Sequence, residues 1–174
     1  MGHRAGAGRL STPARTEPLP WRTAGPGDAV ALRDLERRAN LAGLGHVFGA
    51  EPFPDDDVLA RWRATLAEPG VVTEVLDGTD RPVALLCHDA HVLRHLSVEP
   101  AVWGLGIGSA ALARFAEGHG PGSTLWCLER NTRALALYGR HGWTPTGTTR
   151  RTPWPPWPVE VELVATALPS PGGR

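Results

Sequence analysis

Short apolar segments divide the chain into strands and helices in a regular order. Apolar runs bounded by turn residues predict strands within 19–25, 71–77, 82–90, 91–98, 123–129, 143–150 and 159–168. Apolar positions at helical spacing predict helices over 26–40, 55–67, 105–118 and 131–141. Residues 41–54 are broken by Gly and Pro and are expected to form a loop. This order indicates one mixed α/β domain over residues 19–168.

The two ends of the chain differ from this pattern. Residues 1–18 mix Gly, Pro, Ala and Arg without a period, so we expect a disordered N-terminal tail. Residues 169–174 are expected to form a short C-terminal tail. The length of 174 residues suits a single domain with a sizeable core.

Charge and composition narrow the class of protein. The 18 basic and 18 acidic side chains cancel, so no nucleic-acid partner is expected. No apolar run approaches about 18 residues, and no signal-like segment is present, so we expect neither membrane insertion nor secretion. Cys87 and Cys127 lie in predicted strands without a C-x-x-C spacing, which is typical of reduced thiols in a cytoplasmic protein. The chain has no Lys, which excludes Schiff-base chemistry and a pyridoxal-phosphate anchor.

The segment from Val98 to Phe115 joins a strand end, a glycine-rich turn and a helix start. Gly104, Gly106 and Gly108 let the backbone turn tightly and approach a ligand without Cβ interference. Free N–H groups and the dipole at the start of a helix attract phosphate. The segment therefore predicts a phosphate-binding site.

Two known kinds of phosphate loop fit this segment poorly. A nucleotide P-loop needs a Lys after its second Gly, and the chain has none. A dinucleotide fingerprint could use Gly106, Gly108 and Ala111, with Glu129 about twenty residues downstream. However, five residues separate Val98 from the first Gly, and the 45 residues after Glu129 cannot complete a doubly wound sheet.

A third kind of site fits better. The segment resembles the acyl-CoA-binding motif of the GNAT acyltransferase superfamily, strand-V-x-P-x-x-[QR]-G-x-G-x-[GA]-helix, at Val98, Pro100, Trp103, Gly104, Gly106 and Gly108. Trp103 departs from the motif, which usually has Gln or Arg there. A second stretch resembles the family's strand-x-N-x-x-A-x-x-L-Y-x-x-x-G-[FW] segment at Asn131, Ala134, Leu137, Tyr138, Gly142 and Trp143. On a helix Asn131, Ala134 and Tyr138 share one face.

The resemblance implies a fold and a cofactor. The expected fold has helices flanking a mostly antiparallel sheet that splays between strands 4 and 5. Acetyl-CoA is the implied co-substrate, with its pantetheine arm between those strands. The implied cofactor-binding residues are Leu96, Ser97, Val98, Trp103, Gly104, Leu105, Gly106, Ile107, Gly108, Ser109, Asn131, Ala134 and Tyr138.

The resemblance also implies direct attack of a primary amine on the thioester. A backbone N–H near Val98 would stabilise the thioester oxygen, and Tyr138 would protonate the departing thiolate. His95 and Glu74 are the favoured candidates for the base that deprotonates the amine, and His88 and His91, on or beside the same central strands, are further candidates. No metal site is expected, because residues 91 and 95 would lie about 13 Å apart along a strand at about 3.3 Å per residue.

The acceptor is expected to contact segments that overhang the cofactor. His46 and Phe48 lie where similar enzymes place a substrate lid, while Trp154 and Trp157 lie in a proline-rich loop before Glu160 and Glu162. Aromatic rings beside carboxylates suit an amine with apolar bulk, either a small molecule or a protein N-terminus. Alternatively, the two tryptophans only cover the core or form a homodimer contact. A catalytically silent CoA-binding sensor or interaction domain is the rival function.

Overall fold

A computed structural model of the chain describes residues 20–166; the predicted tails 1–18 and 169–174 lie outside this range. The strands are β1 (Trp21–Thr23), β2 (Val72–Asp77), β3 (Pro82–His88), β4 (Val92–Val98), β5 (Thr124–Leu128), β6 (Trp143–Arg151) and β7 (Val159–Ala165). The helices are α1 (Ala29–Gly43), α2 (Gly45–Phe48), α3 (Asp55–Ala67), α4 (Ile107–Ala116) and α5 (Thr132–Arg140). Short 3-10 turns precede α1 and follow β4 at Pro26–Asp28 and Pro100–Val102.

The seven strands form one sheet in the order β1-β2-β3-β4-β5-β7-β6. Every neighbouring pair is antiparallel except β4 and β5, which are parallel. This confirms the mixed α/β fold with a mostly antiparallel sheet. The sequence predicted the pairing of β6 with β7 but not the position of β7 between β5 and β6.

Two apolar cores cover the two faces of the sheet. On one face α1 and α3 pack Leu32, Leu35 and Trp62 against Val75 and Leu85. On the other face α4 and α5 pack around a second cluster, formed by Leu86, Leu112, Phe115, Leu125, Tyr138, Trp143 and Leu163 among others. Each fully buried large side chain contributes about 1.5–3 kcal/mol of transfer free energy, so the helices are fixed to the sheet by burial.

The sheet splays between β4 and β5. These strands pair only at Val92 with Thr124 and at Leu93 with Leu125, next to their N-terminal ends. Further along, β4 pairs only with β3, and β5 pairs only with β7. The predicted split between strands 4 and 5 is thereby confirmed.

The segment 41–54 contains more helix than its glycines and prolines predicted. Helix α1 continues to Gly43, and α2 follows at once, ending where Gly49 adopts a φ of +65°. Leu44 and Val47 are buried, so tertiary packing stabilises a turn of helix that local propensity would not. Among residues 20–166, no helix is long and apolar enough to cross a bilayer.

Candidate functional site

The glycine turn after β4 leaves space beside the backbone. Gly104 and Gly106 have φ values of +83° and +82°, a conformation that side chains other than glycine rarely adopt. A Cβ atom built on either residue would meet no atom within 4 Å. The turn therefore has an open outer side on which a ligand can contact the backbone directly.

The start of α4 presents free hydrogen-bond donors to that space. The first intrahelical bond joins the Ala110 N–H to the Gly106 carbonyl at 2.9 Å. The N–H groups of Ile107, Gly108 and Ser109 have no partner among residues 20–166, and the N-cap Gly106 has no side chain to satisfy them. Together with the helix dipole they form a cradle for an anion.

Helix α5 packs directly against this turn. A Cβ on Gly108 would lie 3.1 Å from Cδ2 of Leu137, so glycine allows the two helices to approach closely. Ser109 Oγ lies 3.0 Å from Nε2 of His141, the residue that ends α5. Burial lowers the pKa of His141, with a smaller effect from Arg140, so a neutral imidazole faces the serine. These contacts fix the position of α5 relative to the anion cradle.

The edge of β4 that faces the split carries free backbone groups. The Glu99 N–H donates to Val83 of β3 at 2.8 Å, whereas the Val98 carbonyl accepts from the indole N–H of Trp103 at 2.7 Å. Because bonding direction alternates along an antiparallel strand, the N–H groups of Val98 and Leu96 point into the split. The split is therefore lined by backbone donors that an extended, amide-containing ligand can use.

Tyr138 lies in the core beneath α5. Its side chain packs against Trp143 with ring centroids 6.2 Å apart, and its hydroxyl has no hydrogen-bond partner among the described residues. Burial raises the pKa of Tyr138 above its ordinary value, and the neighbouring Cys127 raises it further. The hydroxyl therefore keeps its proton at neutral pH.

Asn131 begins the helix that carries Tyr138. Its Oδ1 accepts a hydrogen bond from the Ala134 N–H at 3.2 Å, which caps α5. The amide nitrogen of Asn131 has no partner in the described part of the chain, so its N–H groups are free to bind a ligand. Asn131, Ala134 and Tyr138 thus come from one helix whose start borders the split.

The two candidate bases are not brought together with Tyr138. His95 lies on the face covered by α1 and α3, as Ser97 does, and Arg61 donates to its Nε2 at 2.5 Å. Burial first, then the Arg61 charge, lowers the pKa of His95 well below its ordinary value. Glu74 is buried on β2, where it accepts a hydrogen bond from Arg114 of α4 at 2.9 Å. Strands β3 and β4 lie between Glu74 and the split.

The two cysteines are buried free thiols. Burial raises the pKa of Cys127 to about 12 and also raises the pKa of Cys87. Neither thiol is a thiolate nucleophile at neutral pH. Within residues 20–166, no three His, Cys, Asp or Glu side chains are close enough to share a metal ion.

A pocket of about 230 Å³ opens at the C-terminal end of β5. Its lining residues are one acidic, two basic, one aromatic and four apolar: Glu129, Arg130, Arg151, Trp157, Val47, Pro156, Pro158 and Val159. The Glu129 carboxylate makes no ion pair with a residue in 20–166. By contrast, Glu160 accepts from Arg150 at 2.7 Å and Glu162 accepts from Thr146 at 2.8 Å.

The proline-rich loop presents one tryptophan to this pocket. Trp157 has a φ of +56° and is 54% exposed, an uncommon combination of backbone strain and apolar exposure. The Trp157 N–H donates to the Trp154 carbonyl at 2.8 Å, and the Arg151 guanidinium donates to the Trp157 carbonyl at 3.0 Å. Trp154 is partly buried and does not line the pocket.

Helix α2 forms the opposite border of the pocket. His46 Nε2 lies 2.8 Å from the Arg130 carbonyl, so this nitrogen must carry the proton and donate it. The contact joins α2 to the end of β5 and brings Val47 to the pocket. Phe48 is partly buried and is not a lining residue.

Sequence reasoning considered Glu129 only for the dinucleotide site that fits poorly, and it assigned neither Arg130 nor Arg151 to a site. A usable signal existed for the first two, because Glu129 and Arg130 directly follow the strand that borders the split. Arg151 had no such signal, since only the sheet order places the end of β6 near the end of β5.

Comparison with known proteins gives a family match. The family model described as the Acetyltransferase (GNAT) family matches residues 31–143, which is more than half of the chain. No protein with a curated description matches the sequence closely enough to be called a relative.

Several solved structures share this fold, and the chain matches nearly the whole length of each. An acetyltransferase from Thermus thermophilus has 20% identity and a TM-score of 0.63, covering 84% of this chain and 97% of that chain. The ribosomal-protein-S18-alanine N-acetyltransferase from Escherichia coli has 19% identity and a TM-score of 0.57, covering 88% and 96%. The PaiA N-acetyltransferase from Thermoplasma acidophilum, in complex with coenzyme A, has 12% identity and a TM-score of 0.58, covering 82% and 96%.

Proposed function

Because the chain belongs to the GNAT family of acetyltransferases, we propose that it transfers an acetyl or other short acyl group from acyl-CoA to a primary amine. The observation that carries this proposal is the split between β4 and β5, with free backbone donors along one edge and the Tyr138 hydroxyl beneath α5. The anion cradle at the start of α4 borders the same split.

The residues around the split fit an acyl-CoA. The free N–H groups at Ile107, Gly108 and Ser109 would bind the diphosphate, with Gly104 and Gly106 leaving room for it. The N–H groups of Leu96 and Val98 and the amide of Asn131 would bind the pantetheine arm. The cofactor would supply a thioester carbonyl as the acyl donor.

Val98 and Tyr138 would act on the carbonyl oxygen and the sulfur of the thioester, respectively. The Val98 N–H would donate to the thioester oxygen as negative charge develops there. The Tyr138 hydroxyl would give its proton to the departing sulfur. Burial raises the pKa of Tyr138, so the hydroxyl stays protonated at neutral pH but is a weaker acid, and the proposed role rests on the motif position of Tyr138.

The acceptor would bind in the pocket at the end of β5. We assign Glu129 to the ammonium group of the acceptor and Trp157 to an apolar part beside it. This leaves His95 and Glu74 outside the chemical step, since each already accepts a hydrogen bond from an arginine. The acceptor proton would leave through Glu129 or water.

The charge of this pocket favours some amines over others. Arg130 and Arg151 would repel an acceptor with several positive charges, which disfavours a polyamine. An amine with one positive charge and an apolar or carboxylate-bearing portion fits better. Both small amines of this kind and a peptide N-terminus satisfy that description.

Release of free CoA thiol across a panel of amines tests the proposal. The panel should contain polyamines, aromatic amines, amino acids and short peptides, with Tyr138→Phe as the low-activity control. We expect thiol release with monocationic amines. Binding of acetyl-CoA without thiol release for any amine would contradict the enzyme and favour a silent CoA-binding domain.

A further inference from the structure

Arg133 lies on the first turn of α5 and faces Trp103 instead of a carboxylate. Its guanidinium carbon is 3.8 Å from the centroid of the Trp103 ring. The side chain makes no ion pair or hydrogen bond with any residue in 20–166, and Arg133 is exposed. The Arg133 guanidinium is therefore held at a fixed position without an acidic partner among residues 20–166.

The Trp103 ring is itself fixed by two further contacts. Its indole N–H donates to the Val98 carbonyl at 2.7 Å, at the end of β4. A Cβ on Gly43, the last residue of α1, would lie 3.3 Å from the ring, so the indole is closely packed on that side. Trp103 therefore forms a rigid support on which the Arg133 guanidinium stacks.

The stacked guanidinium lies next to the anion cradle. Arg133 is one helical turn before Leu137, whose side chain lies beside Gly108 in the first turn of α4. Trp103 immediately precedes Gly104, where the glycine turn begins. The positive charge and the free N–H groups of Ile107, Gly108 and Ser109 thus border the same open space.

We propose that Arg133, held by stacking on Trp103, binds the diphosphate of the acyl-CoA. This inference rests on the proposed function, and it assigns a residue outside the set that the motif implied. A guanidinium held over the face of an aromatic ring keeps its N–H groups free, because the ring has no acceptor for them in that position, and these N–H groups match phosphate oxygens. Where the motif usually has Gln or Arg, this chain has an aromatic support and takes the charge from α5.

Two ligands and two variants test the assignment by isothermal titration calorimetry. The ligands are acetyl-CoA and acetyl-dephospho-CoA, which lacks the 3′-phosphate but keeps the diphosphate. The variants are Arg133→Gln and a matched control, Arg140→Gln, an exposed arginine at the other end of α5. We expect Arg133→Gln to weaken binding of both ligands by the same factor, about 10- to 100-fold, and the control to bind like the unmodified protein.

The role of the Trp103 ring is tested separately, by the same binding measurements. Trp103→Leu removes the ring but keeps Arg133, so it should weaken both ligands less than Arg133→Gln does. The double variant should bind no more weakly than Arg133→Gln alone, because Trp103 is proposed to act through Arg133. Additive losses would show that Trp103 acts independently and would overturn the stacking part of the proposal.

The remaining outcomes separate this inference from the proposed function. If Arg133→Gln weakens only acetyl-CoA, Arg133 contacts the 3′-phosphate and the diphosphate assignment is wrong. If it weakens neither ligand while the unmodified protein binds both, the inference fails and the proposed function stands. If the unmodified protein binds neither ligand, both fail.

Discussion

The Tyr138 side chain is buried against Trp143, and its hydroxyl has no hydrogen-bond partner among residues 20–166. Replacing Tyr138 with Phe keeps the ring in the core and removes only the proton donor. We expect kcat to fall by about 10²–10⁴-fold, because general acid catalysis contributes about that much. Acetyl-CoA affinity, measured by calorimetry, should change little because the proposed contacts of Ile107, Gly108 and Ser109 with the diphosphate are retained.

The raised pKa of Tyr138 adds a pH test to this prediction. The acid form of a group whose pKa is raised persists to higher pH, so kcat should not fall between pH 7 and about 9.5 through loss of the Tyr138 proton. A kcat that is unchanged in Tyr138→Phe would make Tyr138 a packing residue. Water would then be the proton donor.

Glu74 is placed to hold α4 against β2. In Glu74→Gln the buried carboxylate that accepts from Arg114 becomes a neutral amide, so a charge-assisted bond is lost. We expect the free energy of unfolding, from urea titration, to fall by about 1 kcal/mol while kcat changes less than about threefold. A large loss of kcat at unchanged stability would instead identify Glu74 as the base. The same pair of measurements on His95→Gln tests the histidine.

At the scale of elements, we expect the two tryptophans of the 152–158 loop to have different roles. Trp157→Ala removes an exposed ring that lines the pocket, so the KM for the amine should rise about tenfold or more at constant melting temperature. Trp154→Ala removes a partly buried ring, so the melting temperature should fall while the KM for the amine holds. Steady-state kinetics and thermal unfolding on both variants check this. Equal effects of the two variants on KM would contradict the division.

Elements with a clear start signal could be predicted from the sequence. Helix α3 spans residues 55–67 as predicted, because three acidic residues mark its start and apolar spacing marks its length. Helix α2 could not be predicted, since Leu44 and Val47 stabilise it only through burial against other elements. The position of β7 between β5 and β6 is a long-range property that no local pattern encodes.

The same distinction applies to the candidate site. The glycine turn and the start of α4 are contiguous in sequence, so their conformation could be predicted from Gly104, Gly106 and Gly108. The contact of Arg133 with Trp103 joins residues 30 positions apart and depends on how α5 packs on α4. Side chains brought together by packing are the part that sequence patterns leave open.

At the scale of the whole molecule, the sheet separates two packed layers of helices, and the split interrupts the sheet between β4 and β5. Helices α1 and α3 pack on one face, and α4 and α5 pack on the other. Strands β4 and β5 share only two residue pairs, so backbone pairing between them is short. A ligand that fills the split would bind backbone groups of β4 and of α4 at once, and only the folded chain presents both.

Acetyl-CoA should therefore stabilise the folded protein. A ligand at about 100 times its Kd adds about 2.7 kcal/mol, which is measurable as a rise in melting temperature. Gly106→Glu should abolish this rise, because its side chain would place bulk and negative charge where the diphosphate binds. Gly147→Glu in β6 is the matched control: its φ is +91° and a Cβ there also meets open space. Both variants carry the strain of a side chain at positive φ, but only the control should keep the ligand-induced rise. Equal ligand-induced rises in the two variants would place the cofactor away from the glycine turn.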